Sequence, residues 1–160
     1  MVRVISIFLI FIFIGCEMNS KQLIKPEKFQ YNIIKFDAVS KTLNNDFKSN
    51  STDHENMNKL IEYWFDNRIK TDGFDGNLFV NIKKIQLDRE KRSDYYKFSI
   101  SLSMEFIEKK SPTNIKTYNV NSKEFGEIKG SFAIKDQDNL DLNLMHQSLQ
   151  NISIKLQSIN

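Results

Sequence analysis

Hydrophobic and polar residues alternate most regularly in the middle of the chain. Six apolar residues share one parity there, namely Tyr96, Phe98, Ile100, Leu102, Met104 and Phe106. The five positions between them carry Lys97, Ser99, Ser101, Ser103 and Glu105. A period of two predicts a long β-strand with one buried face and one face in water. Because serine recurs on the polar face, we do not expect a second sheet to pack against it.

Weaker alternation predicts three further strands, over residues 29–37, 77–87 and 115–134. A change of parity near Lys83-Lys84 indicates a β-bulge in the second of them. Short polar turns join the three later strands, so we expect an antiparallel meander. The polar stretch 40–51 predicts a loop, with a helical turn around Leu43 and Phe47.

Apolar residues at three- and four-residue steps predict two amphipathic helices. The first is predicted over residues 53–71. Thr52 precedes it as the N-cap, and Glu55 lies at the third position that a capping box requires. Trp64 is the only tryptophan and lies in the middle of the apolar stripe, so we expect it in the core rather than on a ligand. The second helix is predicted over residues 137–158. Its apolar seam consists of Leu142, Met145, Leu149, Ile152, Leu156 and Ile159.

The predicted order is therefore strand, helix, strand, strand, strand, helix. A sheet with one apolar face has to bury that face, and two amphipathic helices supply the cover. We therefore expect an α+β fold, a two-layer sandwich with a mainly antiparallel sheet and two helices on one face. A chain of this length buries about two thirds of its unfolded surface, which is sufficient for an independent core.

The N-terminus predicts the compartment. Eleven apolar or small residues, 4–14, follow Arg3 and lead to Gly15 and Cys16. As a helix this run is about 16 Å long, against roughly 30 Å of bilayer hydrocarbon. It is too short for a transmembrane anchor and has the length of a signal peptide. An ordinary secretory signal or a buried strand, with the cysteine as a small hydrophobic residue, are the alternatives.

The sequence Phe13-Ile14-Gly15-Cys16 resembles the lipobox of bacterial lipoproteins. In that family the cysteine thiol receives a diacylglycerol, the chain is cut just before it, and an acyl chain such as palmitate is added to the new N-terminus. The resemblance implies lipidation at Cys16 and signal cleavage between Gly15 and Cys16. Phe13 departs from the leucine that is usual at its position.

This resemblance divides the chain into three parts. Residues 1–15 are a signal peptide, residues 16–28 the lipidated N-terminus with its tether, and residues 29–160 a single α+β periplasmic domain. Glu17 takes the second position of the mature chain, where an aspartate favours retention at the inner membrane. We therefore expect a lipid-anchored protein that faces the periplasm, at the outer rather than the inner membrane.

The composition offers little material for chemistry. The chain has 160 residues, a net charge of +3, one cysteine and two histidines. One cysteine excludes an internal disulfide framework and a cysteine-rich zinc site. His54 and His146 lie far apart in the sequence, so a shared metal site is not expected. We predict no catalytic residue, no metal site and no cofactor.

Two charged segments suggest sites but fit them poorly. Residues 136–147 superficially resemble a calcium loop, yet Asp141 stands where that loop has glycine, and Gln147 where it has glutamate. Acidic residues near a helix N-terminus explain the segment better. The predicted turn 88–94 has three basic and three acidic side chains. It is interpreted as a solvated strand end rather than a phosphate or lipopolysaccharide contact.

The function that these features favour is a non-enzymatic accessory or binding domain in the cell envelope. The order of elements is similar to that of small envelope accessory lipoproteins such as the lipopolysaccharide-assembly lipoprotein. The expected partners are the membrane, through acyl chains on Cys16, and an envelope protein; nucleic acid is not expected. The alternative is a lipoprotein that binds a lipid or small apolar ligand in a cavity lined by phenylalanines. An envelope hydrolase is the least favoured hypothesis.

Overall fold

A computed structural model describes residues 31–45 and 52–159 of the protein. Its elements are β1 (Ile34–Phe36), β2 (Ser40–Asn44), α1 (Thr52–Arg68), β3 (Ile69–Thr71), β4 (Asn77–Lys91), β5 (Tyr95–Lys109), β6 (Ile115–Lys129) and α2 (Ile134–Ile159). The predicted α+β class is confirmed, with two helices against a mostly antiparallel sheet. Within these residues, no helix is both long and apolar enough to cross a bilayer.

The main sheet is built from three long strands and one short one. Strands β4, β5 and β6 form the predicted antiparallel meander, and β2 lies parallel to β4 at the edge, which gives the order β2-β4-β5-β6. The register of β4 against β5 shifts between Ile82 and Lys84, so Lys83 is the extra residue of the predicted bulge. Strands β1 and β3 form a separate parallel pair.

Both helices cover the same face of the main sheet. The apolar side of β5 is fully buried from Phe98 to Phe106, in alternation with the partly exposed serines of the other face. Trp64 is in the core, as predicted, with its ring edge-on to Phe106 at 6.4 Å between centroids. Phe36 stacks on the same Phe106 ring at 5.8 Å. The fold is therefore one core between the helices and one side of the sheet.

The prediction of a loop over residues 40–51 is wrong for its first part. Residues 40–44 form β2, while Phe47 lies outside the described residues. An edge strand can remain polar because only one of its sides meets the sheet. Side chains hold it there, since Ser40 Oγ donates to Asn77 Oδ1 at 2.5 Å and Asn44 Nδ2 donates to Asn81 Oδ1 at 2.8 Å.

The first helix ends earlier than the predicted residue 71. It stops at Arg68, and the next three residues become β3, which pairs with β1. The ammonium group of Lys41 donates to the carbonyl oxygens of Phe65 and Asp66 in the last turn of α1, at 2.7 and 3.2 Å, and to that of Ile69 at the start of β3, at 2.7 Å. A side-chain donor that satisfies the last carbonyls of a helix allows it to end there. The side chain of Thr52 lies outside the described residues, so its predicted cap remains a prediction.

The other boundaries differ less. Of the strand predicted over residues 29–37, only Ile34–Phe36 forms β1. Residues 31–33 are not part of a strand, and residues 29–30 lie outside the described range. Strand β4 continues to Lys91, and β6 ends at Lys129 rather than at residue 134. The second helix begins three residues before residue 137, because Asp136 Oδ2 accepts from the backbone N–H of Ala133 at 3.0 Å. This is half of a capping box.

Two glycines with positive φ provide a matched test of the turns. Gly76 has φ 82°, and a Cβ there would lie 2.8 Å from the carbonyl oxygen of Lys109. Gly130 has φ 72° and nothing within 4 Å. We expect Gly130→Ala to lower the free energy of unfolding by about 1 kcal/mol, from backbone strain alone. Gly76→Ala should lower it by roughly 2 kcal/mol more, from the added clash. Urea unfolding would measure both, and equal losses would contradict this explanation.

Candidate functional site

The predicted site residues Gly15 and Cys16 lie outside the described residues, so lipidation and cleavage remain predictions. The described chain begins at Tyr31, which is held against α2. The Tyr31 hydroxyl hydrogen-bonds to Nδ1 of His146, and their rings stack at 5.9 Å between centroids. Asn32 Nδ2 donates to Gln157 Oε1 at 2.9 Å. The point where a tether would enter the domain is therefore fixed to the second helix.

The two histidines have different surroundings. His54 lies in the first turn of α1 and is half-buried, whereas His146 is completely buried in α2. Burial lowers the pKa of His146 to about 4, and burial raises the pKa of the Tyr31 phenol. In residues 31–45 and 52–159, no group of three or more histidine, cysteine or carboxylate side chains is placed to bind a metal ion. His146 therefore has a neutral side chain at ordinary pH and a structural partner.

A three-residue charge cluster joins both helices to the far end of β4. Arg89 Nη2 donates to Asp53 Oδ2 at 2.8 Å and to Asp141 Oδ2 at 2.6 Å. Asp53 is in the first turn of α1, Asp141 is buried in α2, and Arg89 is still in contact with water. Desolvation raises the pKa of the Asp141 carboxyl, while the hydrogen bond and charge of Arg89 oppose that shift.

The interpretation of residues 88–94 as a solvated strand end is wrong for Arg89, which belongs to this cluster. A signal was present, because Arg89 has the parity of the core residues Ile85 and Leu87 and therefore faces the helices. Its neighbour Arg92 is different, since it pairs with Glu90 at 2.7 Å and both side chains are about half exposed. One arginine of the turn is a structural contact, and the other is a surface ion pair.

The acidic segment that superficially resembled a calcium loop divides into separate roles. Asp136 caps the start of α2 at Ala133, and Asp141 is paired with Arg89. Two of the carboxylates that a calcium site would need therefore already have partners in the fold. This agrees with the interpretation of the segment as acidic residues near a helix N-terminus.

The phenylalanines do not face one common space in the described part of the chain. Phe36, Phe98 and Phe106 are fully buried, and Phe36 packs directly on Phe106. Phe74 and Phe125 are exposed on different parts of the surface. These rings fill the core or face water, which does not favour a cavity lined by phenylalanine.

Comparison with known proteins gives similarity at the level of the chain trace. No family model matches the chain, and no curated protein matches its sequence. A minor lipoprotein from Acinetobacter baumannii is 11% identical with a TM-score of 0.42, over 78% of this chain and 89% of that one. The rare lipoprotein B from Shewanella oneidensis is 13% identical with a TM-score of 0.42, over 75% of this chain and 91% of that one. No residue role is transferred from either protein.

The Arg89 cluster predicts an asymmetric effect of two arginine substitutions. Arg89→Met leaves the buried Asp141 carboxylate without its cation, so the free energy of unfolding should fall by about 2 kcal/mol. Arg92→Met removes only an exposed pair and should cost less than about 0.5 kcal/mol. Chemical denaturation of both variants at neutral pH would measure this. Similar losses for the two would show that Arg89 does not hold the helices.

His146 predicts a stability that falls in mild acid. The unfolded histidine has a pKa of about 6.5, so between that pH and pH 4 the unfolded chain binds a proton that the folded one does not. The contribution of His146 to the free energy of unfolding is therefore fully present above about pH 6.5. It decreases as the pH falls toward 4, by up to roughly 3 kcal/mol.

His146→Gln is the matched control, because glutamine keeps a hydrogen-bonding group toward Tyr31 but does not titrate. Urea unfolding at several pH values should give a flatter curve for this variant between pH 6.5 and 4. The carboxylates, Asp141 included, titrate in both proteins and cancel in the difference. Identical slopes would show that His146 is not the titrating group.

Proposed function

We propose that this protein is a membrane-anchored lipoprotein of the bacterial cell envelope, with a non-enzymatic accessory or binding domain. One observation carries the proposal: the only cysteine of the chain directly follows its long N-terminal apolar run, in the context Phe13-Ile14-Gly15-Cys16. Several acyl chains on one residue supply the two or more signals that stable membrane attachment needs. The Cys16 thiol then carries the membrane anchor.

The non-enzymatic part of the proposal is supported by how the domain uses its ionisable side chains. Arg89 of β4 binds Asp53 of α1 and Asp141 of α2, and Tyr31 and His146 bind each other inside the core. A catalytic group needs access to a substrate, whereas these groups hold the helices in place. A role through binding is the function that such a domain can perform.

The compartment follows from the same N-terminal sequence. Cleavage before Cys16 places the domain on the periplasmic side, and Glu17 rather than aspartate at the next position favours the outer membrane. The open face of the sheet, with Ser99, Ser101 and Ser103 along β5, is a surface that an envelope protein can contact. The partners proposed are therefore the membrane, through Cys16, and a protein of the envelope.

Cys16→Ser tests the anchor. In cells fed a labelled fatty acid, the wild-type protein should carry the label and sediment with membranes. The variant should lose the label and leave the lipid-anchored fraction. Adding Ser6→Cys to Cys16→Ser restores a thiol to the leader without restoring the lipobox, and it should not restore labelling. Unchanged labelling and fractionation in Cys16→Ser would refute the lipoprotein assignment.

Crosslinking in intact cells, followed by mass spectrometry, tests the accessory role. We expect one or more envelope proteins to be linked to the domain reproducibly and to be lost when Cys16→Ser removes the anchor. Should the anchored protein yield no envelope partner, the binding role is refuted while the lipoprotein assignment stands.

A further inference from the structure

Three turns meet at one end of the domain, which we call the tip. They are residues 37–39 between β1 and β2, residues 72–76 between β3 and β4, and residues 110–114 between β5 and β6. Strand pairing places them together, because Asn77 at the start of β4 lies opposite Lys109 at the end of β5 and beside Ser40 at the start of β2. Side chains that these turns expose therefore form one surface.

The tip exposes apolar side chains, and Phe74 is the extreme case. Its exposed fraction is 101%, so the ring contacts nothing in the domain. Val39 in the neighbouring turn is 61% exposed, and Ile115 at the start of β6 is 48% exposed. A fully exposed ring together with two further exposed apolar side chains makes this end of the domain a candidate interaction surface.

The exposure of Phe74 is imposed by an ordered turn. The N–H of Gly73 donates to the carbonyl of Ala38 at 3.1 Å, and the N–H of Val39 donates to the carbonyl of Gly76 at 3.0 Å. A Cβ on Gly73 would lie 2.5 Å from the backbone nitrogen of Ala38, so the turn is pressed against its neighbour. Both glycines are held against the neighbouring turn, and the two residues between them, Phe74 and Asp75, are exposed.

The N-terminal segment enters the domain along α2. Leu140 near the start of α2 covers Gly126 of β6, and Lys155 Nζ near its end donates to the carbonyl of Asn121 at 2.5 Å. The helix therefore runs antiparallel to β6, and its C-terminus points in the direction of the tip. Tyr31 is bound to His146 in the middle of α2, and Asn32 is bound to Gln157 near the helix C-terminus. The chain that leads back to Cys16 therefore starts beside α2.

The distance from the anchor to the domain allows the tip to reach the membrane. Fifteen residue steps separate Cys16 from Tyr31, which span at most about 50 Å when extended. A tethered domain samples the bilayer at high effective concentration, so a weak contact suffices to orient it. Ile33, next to the N-terminal segment, and Ile159, the last residue of α2, are also exposed apolar side chains.

Charges of both signs surround the tip, and several of them are paired with each other. The three turns and the two residues on each side of them contain Lys35, Lys41, Lys70, Lys109, Lys110 and Lys116, with Asp37, Asp72, Asp75 and Glu108. Lys110 is paired with Asp37, and Lys35 Nζ is 3.0 Å from Asp72 Oδ2. A contact with a bilayer at this end would therefore depend on apolar insertion more than on attraction to anionic head groups.

We propose that the tip is a membrane-contacting surface, and that Phe74 inserts into the boundary between head groups and acyl chains of the bilayer that carries the Cys16 anchor. The inference rests on the proposed lipid anchor. A bilayer fits better than a protein, because one ring and its neighbours present far less than the roughly 800 Å² that a stable protein interface buries on each partner. Phenylalanine is also among the residues that membrane-surface segments bury at the boundary between head groups and acyl chains.

An environment-sensitive fluorophore at position 74 tests this directly. The full chain with Phe74→Cys, acylated at Cys16 and labelled at the new thiol, is reconstituted into phosphatidylcholine vesicles. Emission should shift to the blue, and quenchers attached to lipid acyl chains should reduce it at least two-fold. The matched control is Ser93→Cys, in the turn 92–94 at the opposite end, which should give neither change. A probe at position 74 that is as polar and as unquenched as the one at position 93 overturns the proposal.

Two further measurements separate the possible failures. Fatty-acid labelling of the same preparation reports the anchor, so a labelled protein without insertion refutes only the tip, whereas an unlabelled one refutes the lipoprotein assignment. Replacing a third of the lipid with phosphatidylglycerol should change the quenching less than two-fold. A photoreactive amino acid at position 74 that links to a protein in intact cells would replace the bilayer with a protein partner and overturn the proposal.

Discussion

The packing of Trp64 between β5 and α2 is the contact on which the rest of the domain depends. Its ring lies edge-on to Phe106 of the sheet, and its indole N–H donates to Ser153 Oγ of the second helix at 2.9 Å. The Ser153 hydroxyl in turn donates to the carbonyl of Leu149 at 2.8 Å. The indole N–H and this hydroxyl therefore both have hydrogen-bond partners inside the core. One side chain of α1 thus contacts both the second helix and the apolar face of the sheet. This face has to be covered, because exposing its apolar side chains to water is unfavourable.

Hydrophobic burial has no direction, so polar contacts decide where the helices lie along the sheet. Arg89 holds the start of α1 and the first turns of α2 to one end of β4. Lys41 of β2 satisfies the last carbonyls of α1, which brings the edge strand and the helix C-terminus together. Tyr31 and His146 fix the N-terminal segment to α2.

The short strands carry the turns of the tip. Strand β3 follows directly from α1 and pairs with β1, and the turns that leave both strands are bonded to each other between Gly73 and Ala38. The same arrangement starts β2 and β4 side by side. The surface of the tip therefore results from strands of three to five residues, two of which also bury Phe36 and Ile69 in the core.

Sequence periodicity alone determined the long elements of this protein. The alternation of β5, the bulge at Lys83 and the core position of Trp64 follow from patterns local to each segment, and the predicted lipobox is a local pattern as well. Only the tertiary structure decided that polar residues 40–44 form a strand, that Ile69–Thr71 leaves the helix, and that Arg89 meets two carboxylates. The reason is physical: period and parity depend on neighbours in the chain, whereas edge pairing, ion pairs and the exposure of Phe74 depend on residues that only folding brings together.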